Sequence, residues 1–176
     1  MELIQEVIYS SQIKELKQIM LDTFDDDRGE IWTIHSEEYC DYKFVADKMT
    51  ISKYGVLRGL HADSHTAKLI SCLHGTFQFV VADLRRDSPT YGNSESYILS
   101  RSKPSVVVVP PGCANAHLCL TDECIFYYKW SAEYNGPESQ VTVAWDDPDL
   151  NINWLNANPI LSERDQNGVL HKEIRL

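Results

Sequence analysis

From residue 31 onward the apolar side chains recur with a period of about 2, in short runs rich in β-branched and aromatic residues. Candidate strands fall at 31–35, 43–52, 69–73, 76–83, 97–99, 105–110, 117–120 and 124–130. Between them lie residues that bend a chain: His74-Gly75, the stretch from Asp87 to Gly92, Pro110-Pro111-Gly112, Thr121-Asp122-Glu123 and Asn135-Gly136-Pro137. Strands spaced by roughly 8–12 residues bury their apolar faces against one another, as an antiparallel sandwich or a closed barrel. A doubly wound α/β fold is not supported, because the chain has no GxGxxG, no P-loop and no long amphipathic pattern.

Two regions depart from this period. Ile13, Leu16, Ile19 and Met20 stand at helix-like spacing, which predicts a short helix or an irregular edge segment over 10–20. The stretch 141–176 is dense in charge and punctuated by Trp145, Pro148, Trp154 and Pro159. It reads as an arm folded over the barrel. With 176 residues, no linker and no internal repeat, a single domain over 1–176 is expected.

Composition narrows the function. The chain is 43% apolar and 24% charged, which fits a globular protein rather than a disordered one. No run approaches the roughly 18–20 apolar residues of a membrane span, and no signal peptide is visible at the N-terminus. Cys40, Cys72, Cys113, Cys119 and Cys124 form no CxxC pair, so free thiols in a cytoplasmic protein are expected. A net charge of −10 argues against nucleic-acid binding, which needs a basic footprint. It leaves room for an anionic small ligand wherever a few cations converge in one pocket.

Such a convergence is visible in 55–68, where Arg58, His61, Asp63, His65 and Lys68 lie at a corner between two strands. Taken alone, this stretch fits a solvated loop as well as a ligand site. Arg28 followed by Gly29 is a second candidate, aimed inward or across a subunit boundary.

Several segments, in order, resemble one family. They are Asp27-Arg28-Gly29, the Gly-Val-Leu-Arg-Gly-Leu-His run ending at His61, Asp83-Leu84-Arg85 with the Ser-Pro-Thr-Tyr-Gly run ending at Gly92, Pro110-Pro111-Gly112, Tyr128-Lys129 with Tyr134, and the Leu-Ser-Glu-Arg-Asp run ending at Asp165. Together they resemble the dTDP-4-dehydrorhamnose 3,5-epimerases, cofactor-free enzymes acting on 4-keto nucleotide sugars. The resemblance implies an all-β, cupin-type jelly-roll barrel with short peripheral helices and a C-terminal arm. It also implies a homodimer, a nucleotide-diphosphate 4-keto sugar as substrate, and no metal or other cofactor.

The family's chemistry carries over residue by residue. A C4 ketone acidifies the hydrogens at C3 and C5; a base removes one, and an acid returns a proton to the opposite face of the enolate. His61 matches the base, and imidazole is the side chain that titrates nearest neutral pH. Asp165 matches the carboxylate that orients it, Tyr134 the proton donor, and Lys68 the cation beside the enolate oxygen. Arg58 is expected on the diphosphate, where its planar fork suits phosphate oxygens. Arg28 is expected at the nucleotide, and Lys48, Asn115, His117 and Tyr128 in the substrate shell.

The chain also departs from the family. Ala46 and Lys48 stand where a Gln and an Asn are usual, and Asn115 replaces a pocket histidine, with His117 two residues on. Asp63 and His65 lie in a corner that differs from its relatives and read as substrate-shell or loop residues. These changes spare the base, its partner and the acid. Relatives of the family also act on GDP-linked 4-keto sugars, including heptoses of bacterial capsules, so the nucleotide and the sugar stay open. So does inversion at C3, C5 or both. Three other classes compete. A metal-dependent cupin isomerase or oxygenase needs His61, His65 and His117 around an ion. The others are a 3,4-ketoisomerase on a similar barrel and a sugar-nucleotide binder without catalysis.

Overall fold

The computed structural model describes residues 3–176, and its regular structure is almost wholly antiparallel strand. Numbered along the chain, one sheet holds, in spatial order, β1 (Ile4–Tyr9), β2 (Lys17–Leu21), β10 (Ser105–Val109), β7 (Lys68–His74), β12 (Glu123–Trp130) and β5 (Ala46–Lys53). The second holds β13 (Val141–Thr142), β6 (Leu57–Ala62), β11 (Cys113–Cys119), β8 (Thr76–Asp83) and β9 (Ser94–Ser100). A separate hairpin is formed by β3 (Phe24–Asp26) and β4 (Gly29–Ile31). Strands distant in sequence lie side by side, as β10 between β2 and β7, which gives the jelly roll.

Burial on three faces explains the sequence pattern. Inside the barrel, Phe77, Phe79 and Val81 of β8 meet Val107 and Val109 of β10 and Phe126 of β12. The alternate residues of β8, Val80 and Ala82, face the other way and are covered by Val143, Leu150 and Ile174 of the C-terminal stretch. Outside β10, Val106 and Val108 pack with Tyr39, Trp32 and Phe44. These strands are covered on both sides and so read as continuous apolar runs rather than alternating ones. The stretch 141–176 is thus an arm laid over the five-stranded sheet, as its composition suggested.

The strands go beyond the sequence reading, which gave no candidate for β1, β3 or β13 and placed β6 only as the end of a strand before a corner; three other differences have a clear cause. The helix-like spacing over 10–20 ends in strand β2, because pairing with β1 and β10 supplies hydrogen bonds on both edges. The run at 31–35 is not a strand beyond Ile31; Trp32 and Ile34 instead anchor an irregular segment on the outer face of the six-stranded sheet. The candidates at 97–99 and 117–120 belong to longer strands, β9 and β11. Their first halves are rich in small or polar residues and lack the apolar alternation that marks a strand.

Candidate active site

The inner apolar cluster does not fill the barrel. Between β5, β7 and β12 of one sheet and β6 and β11 of the other lies a cavity of about 340 Å³. Strand alternation points every second side chain into it: Lys48 and Thr50 from β5, Tyr128 and Trp130 from β12, Asn115 and His117 from β11.

Strand β6 breaks this rule in order to serve the cavity. Arg58 and His61 are three residues apart, so a regular strand would send them to opposite faces. The pairing with β11 shifts between Asn115, opposite His61, and His117, opposite Arg58. This bulge inserts one extra residue into β6 and returns both side chains to the same cavity. Gly59 makes it possible. Its φ is +124°, and a Cβ there would lie 2.5 Å from Ala116 Cβ and 2.6 Å from the Asn115 carbonyl oxygen. Gly59→Ala is therefore expected to destabilise the fold by roughly 3 kcal/mol or more, read as a lowered unfolding midpoint in denaturant. A midpoint at the wild-type value contradicts the proposed role of the bulge.

His61 Nε2 lies 2.7 Å from Asp165 Oδ1. Asp165 sits on α1 (Glu163–Gln166), whose N-cap Ser162 accepts the Asp165 backbone N–H at 3.2 Å and donates its hydroxyl to Oδ2 at 2.8 Å. Burial raises the carboxyl's pKa. The hydrogen bond and charge of His61, with the Ser162 hydroxyl and the Gly59 N–H, outweigh that and hold it below the usual carboxylate value. Asp165 is thus an ionised, nearly buried partner that fixes one imidazole nitrogen and leaves Nδ1 as the other.

Lys68 is buried at the start of β7. Its Nζ donates to Asn115 Oδ1 at 2.7 Å and to the His61 carbonyl at 3.4 Å. Burial outweighs the opposing charge of Asp63 and lowers its pKa to about 8. His117 is stacked on Phe126 at 4.3 Å between ring centroids. Burial, followed by the charge of Arg58, lowers its pKa to about 3, so the ring is neutral. Ser52 links the two residues: its hydroxyl oxygen accepts Arg58 Nε at 3.2 Å and lies 3.0 Å from His117 Nε2. His117 thus anchors the guanidinium through Ser52 from the floor of the cavity. Tyr134 follows β12, its ring edge-on to Trp130 at 5.2 Å.

Nine of the ten residues picked from the sequence line this one cavity. Arg28 does not. It sits at the β3–β4 turn with its side chain 89% exposed and paired with Asp26. Asp63 also lies outside the lining; its Oδ1 accepts the backbone N–H groups of His65 and Thr66 at 3.0 and 2.6 Å and shapes the corner. His65 is exposed, so His61, His65 and His117 do not converge as ligands. Among the described residues, the carboxylates and imidazole able to approach one ion are Asp147, Asp149 and His171, away from the cavity. The sequence reading passed over Trp130, Gln140, Ser162 and Arg164, which also line it. Trp130 was signalled by its place two residues after Tyr128, and Ser162 by its spacing to Asp165 as a helix cap. Arg164 stands in the same run as Asp165 but was given no role; its Nε donates to Thr142 Oγ1 at 2.8 Å, which holds it at the cavity.

The sequence model of the dTDP-4-dehydrorhamnose 3,5-epimerases matches residues 10–173 of this chain. The enzyme of that name from Methanothermobacter thermautotrophicus is 37% identical over 139 residues, covering 76% of this chain and 75% of its own. The one from Pseudomonas aeruginosa is 36% identical over 154 residues, covering 82% and 84%. Among solved structures, a dTDP-6-deoxy-D-glucose-3,5-epimerase from Legionella pneumophila, in complex with dTDP-4-keto-L-rhamnose, superposes with a TM-score of 0.90 at 34% identity, covering 97% of this chain and 94% of that one.

Proposed function

Because this chain belongs to the dTDP-4-dehydrorhamnose 3,5-epimerase family of carbohydrate isomerases, we propose that it inverts C3 and C5 of a dTDP-linked 4-keto-6-deoxyhexose through enolate intermediates. The observation that carries this reading is the His61–Asp165 pair at 2.7 Å in a cavity that also holds Lys68 and Tyr134.

In this reading His61 takes the proton from the carbon next to the ketone. The C–H bonding pair moves into the enolate, and the imidazolium is stabilised by the Asp165 carboxylate. Charge collects on the C4 oxygen, where the Lys68 ammonium is held ready by Asn115. Its lowered pKa still leaves the amine charged at neutral pH. Tyr134 follows β12 in one sheet and His61 lies on β6 in the other, so the two approach the sugar from different walls. That placement suits removal from one face and return to the other. Arg58, with Arg164 nearby, supplies the cations for the diphosphate.

The substrate's nucleotide is the finer part of the proposal. Lys48 and Asn115, which depart from the family pattern, touch the cavity but are not part of the dyad. The test is to incubate the protein with dTDP- and GDP-linked 4-keto-6-deoxyhexoses, reduce the products with borohydride and identify the sugars. Inverted sugar from the dTDP substrate is expected. Inversion of the GDP substrate alone replaces the nucleotide assignment, and a 3-keto product replaces the reaction. The proposal extends to a homodimer in solution, checked by sedimentation velocity.

A further inference from the structure

Lys48 lies on the inward face of β5, opposite Tyr128 of β12. Strand alternation turns its neighbour Asp47 outward, where it pairs with Lys129 at 2.5 Å. Lys48 makes no ion pair with a described carboxylate. Its Nζ lies instead 3.3 Å from the centroid of the Tyr134 ring and 4.4 Å from that of Trp130. Burial against these rings lowers its pKa. Beyond its edge-on contact with Trp130, little else holds Tyr134: residues 131–136 form no regular element, and the residue is exposed. The other lysine of the cavity, Lys68, is directed to Asn115.

We propose that Lys48 is the positioning residue for Tyr134: it fixes the orientation of the phenol and stabilises the phenolate left when the proton is given. The inference rests on the epimerase reading above. In the step concerned, the Tyr134 O–H bond breaks and a C–H bond forms with the electron pair of the enolate carbon. The C4 carbonyl is restored, and the negative charge passes from the enolate to the phenolate. An ammonium 3.3 Å from the ring centroid attracts the phenolate more strongly than the neutral phenol, so it favours the transfer. A lysine already paired with a carboxylate would have less charge to offer. Tyr134 is 41% exposed and recovers its proton from water.

The inference is tested by following two rates in D2O with a dTDP-linked 4-keto-6-deoxyhexose. One is deuterium wash-in at the carbon that His61 deprotonates; the other is inversion. Lys48→Met is expected to slow inversion roughly tenfold and leave wash-in within about twofold, because His61 still removes the proton and can return a deuteron to the same face. Lys48→Arg keeps a cation over the ring and is expected to restore most of the inversion rate. The inference is overturned if Lys48→Met slows both rates equally, if it changes KM alone, or if Arg fails to rescue. Thermal melts of both variants show whether each is folded. A wild-type protein with no wash-in defeats the epimerase reading and this inference together. Wild-type wash-in with an unchanged ratio in Lys48→Met defeats this inference alone.

Discussion

Replacing His61 by Asn is expected to slow exchange of the C3 and C5 hydrogens with solvent by roughly 10³–10⁴-fold, with nucleotide affinity nearly unchanged. Asparagine has similar bulk and can still donate to Asp165, which keeps α1 and its Ser162 cap in place. It cannot take a proton from carbon. The cations proposed to hold the diphosphate lie on other residues, with Arg58 anchored through Ser52 rather than through His61. Loss of exchange together with loss of dTDP binding would mean that His61 organises the cavity rather than acting as its base. Exchange at the wild-type rate would place the base elsewhere.

Lys68→Met is expected to separate stability from activity. The folded protein holds this amine near a pKa of about 8, against an ordinary value of 10.5, because it is buried. As pH rises from about 8 towards that ordinary value, the unfolded chain binds more protons at this site than the folded one, so the wild type gains stability. The cost of burying the cation at neutral pH is on the order of 3 kcal/mol. Methionine removes it, at the expense of leaving Asn115 Oδ1 without its donor, a loss on the order of 1–3 kcal/mol. The melting temperature at pH 7 is therefore expected to stay within a few degrees of wild type, while exchange falls roughly 10²–10³-fold for want of a cation at the enolate. The wild-type rate has the matching pH dependence. Lys68 is charged below about pH 8, and the rate is expected to fall as pH rises through that value. A variant that melts far below wild type, or one that turns over normally, contradicts the role given to Lys68.

How much of this was legible in the sequence depends on what each residue's position rests on. The barrel was legible because Phe77, Phe79 and the valines of β10 alternate or run as covered strands must. Of the two alternatives for 10–20, the short helix is absent: residues 10–16 are irregular and lead into strand β2, since apolar residues three apart also suit a turn feeding into a strand. Within the site, Arg58 and His61 were found through their motif, but their shared direction was not predictable from strand alternation. It depends on the bulge at Gly59, and that depends on how closely Ala116 approaches from β11. Asp165 and Tyr134 lie far along the chain and were placed by resemblance; the cavity then gathers them. Asp63 and His65 looked as eligible as His61 by composition. The backbone hydrogen bonds of the corner occupy Asp63, and His65 is turned to solvent. The contact between Lys48 and Tyr134 joins β5 to an irregular segment, a pairing that no local pattern encodes.

The most direct test of the central claim is deuterium wash-in by the wild-type protein. A dTDP-linked 4-keto-6-deoxyhexose is incubated in D2O and its C3-H and C5-H signals are followed by proton NMR. Enzyme-dependent loss of both signals, with inversion at both carbons, is the predicted result. Loss at one carbon narrows the activity to a single epimerisation. A substrate that binds but keeps both protons contradicts the proposal that His61, Lys68 and Tyr134 form an epimerase site.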